Sequence, residues 1–329
     1  MNDASQSLTS RVESLKAGAH VIHASFLNEE PLLALADGRI LIGERTLTPH
    51  SENAILVATS DPARLVTGGD DGKIFSITSS DAVDQIGDEK GRWIDAVALG
   101  PSQSLAWSTG KKVVARDGKG QLKEWSAPST AQGLAFAPKG YRLGIAHYNG
   151  ASFWFPNTEG TPEFREWKGS HLDITFSADG RFVVTSMQEN TLHGWRLADG
   201  KDMRMSGYPS KTRSFSWSHD GHWLATSGAD AAVIWPFKDK EGPMGKAPRE
   251  CGVRHAKVSS VAFHPRALVV AIGYEDGCIL LCRLTDAAEL LVRVAHKEGG
   301  KITSTAWDKT GARMIFGTEN GAAGVLTLP

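Results

Sequence analysis

The stretch "GGDDGKIFSI", Gly68 to Ile77, sets three glycines and two adjacent aspartates close to an apolar run. Glycines let backbone amides close on an anion and aspartates hold hard cations, so a phosphate loop and a metal loop are both chemically conceivable. Neither pattern is complete. A Walker-type loop needs a Lys-Ser/Thr pair opening a helix, whereas Lys73 is followed by Ile74 and Phe75. An EF-hand loop needs a glutamate at its twelfth position, and Asp81 stands there. Asp71-Gly72 does supply the positive-φ residues of a tight turn, and residues 65–67 and 74–77 read as the strands of a hairpin around it.

The other reactive side chains give equally incomplete constellations. Among the 11 histidines the tightest pairs are "HVIH" (20–23) and "HDGH" (219–222). His20 and His23 point to opposite faces of a strand, and His219 and His222 flank an Asp-Gly turn with no assured third ligand. Glu275 and Glu319 are the acids that could converge for paired-carboxylate hydrolysis, yet acids at equivalent turns are explained by turn chemistry. No Gly-x-Ser-x-Gly elbow, HExxH or post-strand Gly-x-Gly-x-x-Gly is present. The three cysteines include no CxxC spacing, and Cys278 and Cys282, four apart in a strand, sit about 13 Å from each other, too far for a bond or a shared metal. The expectation is no catalytic residue, no metal and no cofactor.

Composition narrows the class. The 329 residues are 41% hydrophobic and 22% charged, which permits a large core, and 36 basic against 37 acidic residues leave no global field for nucleic acid. No apolar run approaches the roughly 18 residues of a membrane helix, and the N-terminus lacks a basic end followed by an apolar core. The chain is expected to be cytoplasmic and a monomer on its own, with no membrane or nucleic-acid partner.

The elements that position these residues emerge as a repeat. "LVATSDPARLVTGGDDGKIFSI" (56–77), "DITFSADGRFVVTSMQENTLHGW" (173–195) and "SFSWSHDGHWLATSGADAAVIW" (214–235) share one grammar with stretches 24–43, 133–155, 260–284 and 304–328; a degenerate copy fills 96–116. The residues ending the first strand of each unit are Phe26, Thr59, Leu99, Phe136, Phe176, Trp217, Phe263 and Trp307, spaced roughly 40 residues apart. Each unit reads as a strand, a polar turn, a small-residue strand, a second tight turn and a third strand. A weaker fourth strand follows, as in "EFREWKG" (163–169) and "ELLVRVAH" (289–296). Four strands at this period make the blade of a propeller.

The Phe-Ser-x-Asp-Gly-like turns, the hairpins at Asp71-Gly72 and Asp276-Gly277, and Trp195 and Trp235 at third-strand ends resemble the WD40 family across nearly the whole chain. Other units hold Ile77, Phe155, Cys282 and Leu326 at the tryptophan position, and no Trp-Asp pair is present. The family's Gly-His signature is reduced to a histidine in phase at His50 and His255, and loosely at His296. The expected fold is an all-β, eight-bladed WD40-like β-propeller, with seven blades as the alternative. The expected organisation is an unstructured 1–9 and a single domain over 10–329, closed by strand 10–18 supplying the strand that the eighth unit lacks. Residues 236–252 read as the longest mobile loop.

The resemblance implies protein binding on the narrow face, where first strands begin and the second-to-third-strand turns cluster. Lys211, Lys257 and Lys301 precede first strands side by side, with Arg213 close by and Glu275 and Glu319 near the arc; Trp93 and Tyr148 mark an aromatic sector. An acidic, aromatic-anchored peptide or protein loop suits that face. The expected function is a non-catalytic scaffold or adaptor. The alternatives are a propeller enzyme or metal-dependent hydrolase at the channel mouth, and a permanent subunit of one large complex.

Overall fold

The computed structural model describes residues 7–80, 82–296 and 298–329. It is an all-β propeller, as the periodicity predicts. Its strands form seven antiparallel sheets, six of four strands and one of six. Counted as continuous sheets the blades number seven, the alternative in the sequence reading and not the eight put first; counted as repeats, eight first strands are present.

The difference has one cause. The strand Glu163–Phe176 serves two repeats: Glu163 to Ser170 pair with residues of Leu143–Trp154, while His171 to Phe176 pair with Phe182–Met187. Gly169, at φ +131°, carries the chain from the outer edge of repeat four to the inner edge of repeat five without ending the ladder. The degenerate third repeat is a regular four-stranded sheet running from Ala96–Leu99 to Leu122–Ser126.

Two compact bodies emerge from the contacts. Asn53–Lys211 carries repeats two to five, and Thr212–Pro329 with the chain up to Glu52 carries repeats six to eight and one. In the second of these, Val12–Lys16 adds antiparallel to Ala322–Thr327, in register from Val12 opposite Leu326 to Lys16 opposite Ala322. Residues 1–6 of the segment expected to be unstructured lie outside the described residues. Ser7 to Thr9 are ordered: Ser7 bridges Leu291, and the Leu8 amide donates to the Leu291 carbonyl at 2.7 Å.

Turn chemistry recurs in the expected places. Ser177 Oγ donates to Asp179 Oδ1 (2.7 Å) and accepts from the Phe182 amide (2.9 Å), and Ser218, Asp220 and Trp223 repeat the arrangement. A short polar side chain that satisfies the amides of the turn replaces ladder bonds lost at the strand end. At the opening motif Asp71 Oδ1 accepts the Lys73 amide at 2.9 Å, and Asp276 Oδ1 does the same for Cys278 at 3.0 Å. Gly72 carries the positive φ (+78°), and a Cβ there would meet the Gly91 amide nitrogen at 2.8 Å. The aspartates are scaffold.

Each repeat buries the middle of its second and third strands, as in Phe182–Met187, where every residue is buried. Trp195 and Trp235 lie in these cores as expected, and so does Trp107, whose indole N–H donates to Glu89 Oε1 at 2.8 Å. Each such burial contributes about 1.5–3 kcal/mol, so the cores dominate stability. Segment 236–252 is more structured than expected. Pro236 ends a strand, Arg249–Cys251 form the fourth strand of repeat six, and the intervening turns are anchored by fully buried Phe237 against Trp217, ring centroids 4.9 Å apart.

Candidate protein-interaction surface

Repeats four and five enclose a cleft of about 660 Å³, lined by Tyr148, Trp167, Lys168, Met187, Glu189 and Arg204 with Glu166, Gly169 and Thr191. Its shape is set by two glycine-containing crossings. At the first, Asn149 (φ +67°) and Gly150 shift the register after Tyr148, leaving that ring about half-exposed. The Tyr148 amide is held by Ser129 Oγ at 2.8 Å. At the second, the Gly169 amide donates to Asn149 Oδ1 (3.3 Å) and the Ser170 amide to Glu189 Oε1 (3.1 Å). A Cβ on Gly169 would meet Met187 Cε at 2.5 Å and Glu189 Oε2 at 2.9 Å, so the crossing needs glycine for space as well as for φ.

Behind the cleft lies a layer of buried imidazoles. His147 donates Nδ1–H to the Tyr148 carbonyl (3.0 Å) and its Nε2 accepts from Ser152 Oγ (2.9 Å). His171 donates Nε2–H to the Trp167 carbonyl (2.9 Å), and its Nδ1 lies 2.7 Å from the Thr185 hydroxyl, whose one proton is shared with the His193 carbonyl (3.1 Å). Burial lowers the pKa of both below the ordinary histidine value, outweighing the carbonyl bonds that raise it. The neutral tautomers follow from that. His193 is fully buried with neither ring nitrogen hydrogen-bonded; Asp202 Oδ2 stands 3.9 Å from its Nε2. Burial first, then the charges of His171 and Arg204, push its pKa down to about 3. Its ring stacks on Trp167, which forms a wall of the cleft.

The residues singled out in the sequence separate. Tyr148 lines the cleft; Trp93 is strongly exposed (67%) ahead of Ala96–Leu99 and is not among the lining residues. Lys211 belongs to the body Asn53–Lys211, and Arg213, Lys257 and Lys301 to the other. Both glutamates engage Lys301: Glu275 Oε1 lies 3.7 Å from its Nζ, and Glu319 Oε1 accepts its amide at 2.9 Å. The Glu275 amide also donates to the Lys257 carbonyl at 2.9 Å. Glu275 thus faces the Lys301 ammonium, while Glu319 holds the Lys301 backbone amide. His222 Nδ1 lies 3.2 Å from Asp220 Oδ2 across the "HDGH" turn.

The phased histidines differ in burial: His50 is fully buried. His255 and His296 are exposed, whereas His171, two residues beyond Gly169, reaches a strand-two hydroxyl and lies 5.8 Å from the Trp195 ring. The dipeptide signature is hidden because Ser170 splits it. Trp167, Lys168, Met187 and Arg204 were also missed: they read as ordinary strand residues, and only the approach of two repeats gathers them.

Comparison with known proteins bears on the fold and the family. A family model described as WD domain, G-beta repeat matches residues 203–235. WD repeat-containing protein 1-A of Xenopus laevis is 29% identical over 115 residues, which are 34% of this chain and 18% of that protein. Telomerase protein component 1 of Rattus norvegicus is 25% identical over 181 residues, 52% of this chain and 6% of the relative. Periodic tryptophan protein 2 of Saccharomyces cerevisiae is 22% identical over 235 residues, 60% and 25% respectively. The chain therefore spans a quarter or less of these curated relatives. The computationally designed Ika8 protein aligns with a TM-score of 0.77 at 17% identity, over 96% of this chain and 98% of that one, a likeness of fold alone.

Proposed function

We propose that this chain, a divergent WD40-repeat β-propeller, is a non-catalytic scaffold that binds a protein partner through the ends of its second-to-third-strand turns. Propellers of this family typically act as interaction platforms and not as catalysts. The observation that carries the reading is Tyr148, an aromatic ring about half-exposed on such a turn at the rim of a 660 Å³ cleft. Exposed aromatics next to uncommitted charge are the usual anchors of protein interfaces. Trp93 is a second anchor on the same body, and Lys257 and Lys301 are proposed contacts of the other body taken by itself. The partner is a protein or an acidic loop met in the cytoplasm, by a chain that is monomeric when alone.

The experiment is affinity purification from native cytosol, comparing the wild type with a folded Trp93→Ala, Tyr148→Ala, Lys211→Glu, Lys257→Glu, Lys301→Glu variant. Partners lost only from the variant are the expected result. No specific partner with either protein would overturn the scaffold reading.

A further inference from the structure

We propose that the cleft between repeats four and five seats one acidic peptide segment, an aromatic or large aliphatic side chain lying on Trp167 and Met187 with a neighbouring carboxylate on Lys168 and Arg204. The inference deepens the scaffold reading and rests on it.

Size comes first. A volume of about 660 Å³ falls within the range of formed ligand sites and accommodates one large side chain with its flanking backbone. The walls are pre-organised. Trp167 is backed by His193 at 3.8 Å between centroids, and its carbonyl is held by His171. Met187 is buried at the floor, a polarizable thioether adaptable to aromatic or aliphatic guests. A wall already fixed in one rotamer costs little further entropy when a ligand arrives.

Charge selects the guest. Among the described residues no carboxylate lies within 4.0 Å of the charged nitrogens of Lys168 or Arg204, whereas Glu189 is engaged by the Ser170 amide through both oxygens, at 3.1 and 3.3 Å. The lining therefore carries two cations with no carboxylate partner and two carboxylates, of which Glu189 is already held by the Ser170 amide and Glu166 is not. The cations enter from separate strands, Glu163–Phe176 and Asp202–Met205, and both line the cleft, so a guest carboxylate is offered donors from two strands. Glu166 remains as an acceptor for peptide N–H groups.

The test uses the full chain labelled with 15N-tryptophan, the Trp167 indole signal being identified by its loss in Trp167→Phe. The probes are acetyl-Leu-Phe-Asp-Glu-amide, its Asn-Gln and Lys-Lys counterparts, and a ten-residue oligothymidylate. The acidic peptide is expected to shift the Trp167 signal saturably, with the Asn-Gln peptide about tenfold weaker. Lys168→Glu/Arg204→Glu should weaken the acidic peptide by about tenfold or more while leaving the other indole signals in place. Equal or tighter binding of the Lys-Lys peptide, tighter binding of the oligonucleotide, or no shift at Trp167 with any peptide overturns the proposal. The same double variant used as bait separates this failure from that of the scaffold reading. Partners that persist on it overturn the cleft alone; absence of any specific partner on the wild type overturns the scaffold itself.

Discussion

Trp167 and His193, from the outer strand of repeat four and the third strand of repeat five, stack with centroids 3.8 Å apart and planes 14° from parallel. The imidazole is fully buried and neither nitrogen has a hydrogen-bond partner, a cost accepted for the sake of the stack. His193→Phe keeps a flat ring in the same place and removes both orphaned nitrogens. It should raise stability by about 1 kcal/mol at pH 7.5, read as a higher denaturant midpoint. A lower midpoint would mean that the nitrogens are engaged.

The same residue makes stability pH-dependent with a defined sign. Its folded-state pKa of about 3 lies below the ordinary 6.5, so between those values the unfolded chain binds more protons. The native state is unpenalised above pH 6.5 and loses stability as pH falls toward 3. By pH 4.5 the loss from His193 is on the order of 2 kcal/mol. Denaturation at pH 7.5 and 4.5 should show a smaller acid loss for His193→Phe than for the wild type, the difference isolating this group from His147 and His171. Equal losses would place the acid sensitivity elsewhere.

Why the repeats were legible and the cleft was not has a physical explanation. Ser177 and Asp179, or Ser218 and Asp220, act on amides within five residues of themselves, so the chemistry and its spacing are both written locally. Trp167 and His193 meet only after repeats four and five join in the six-stranded sheet, and nothing in "EFREWKG" distinguishes an indole facing a neighbour's imidazole from one facing solvent. Eight repeats give seven continuous sheets for a related reason. Gly169 reads as the end of the fourth strand "EFREWKG", yet at φ +131° the ladder passes through it, and no proline or Asp-Gly pair marks a break. Tyr148 was found because its turn is a repeat position; its companions Lys168 and Arg204 occupy no repeat signature.

Thr185 is the hydroxyl on which His171 depends. Thr185→Val conserves shape but removes the hydroxyl shared by the buried His171 Nδ1 and the His193 carbonyl, at a cost of about 1–3 kcal/mol, whereas Thr185→Ser keeps it and should cost less. Because His171 also holds the Trp167 carbonyl, Thr185→Val should broaden the Trp167 indole signal and Thr185→Ser should not. Unchanged stability in Thr185→Val would show that the imidazole finds another donor.

Two glycines with nearly the same φ separate strain from crowding. Gly72 (+78°) has backbone 2.8 Å from where a Cβ would stand, while Gly91 (+75°) has nothing within 4 Å. Gly91→Ala should cost only the left-handed penalty, about 1–2 kcal/mol. Gly72→Ala must in addition push apart the Gly91 and Arg92 backbone and should cost clearly more in the same denaturant series. Equal costs would mean that the turn relaxes freely.

The pairing of Val12–Lys16 with Ala322–Thr327 joins the two ends of the sequence in one sheet, although no turn connects them. The strand's own burial is slight, but it covers an edge whose residues Ala323 to Leu326 are buried. Removing residues 1–18 would leave that edge's amides and carbonyls unpaired, and an unpaired, apolar edge recruits other chains. The truncated protein should therefore melt several degrees lower, by the size scaling expected for a loss of a few kcal/mol, and aggregate on heating. A synthetic peptide of residues 7–18 added in excess should restore part of the loss by mass action, in proportion to its occupancy of the edge. Full stability and monomeric behaviour after truncation would show that the third strand of repeat eight tolerates an open edge, and that the N-terminal strand decorates the sheet without completing it.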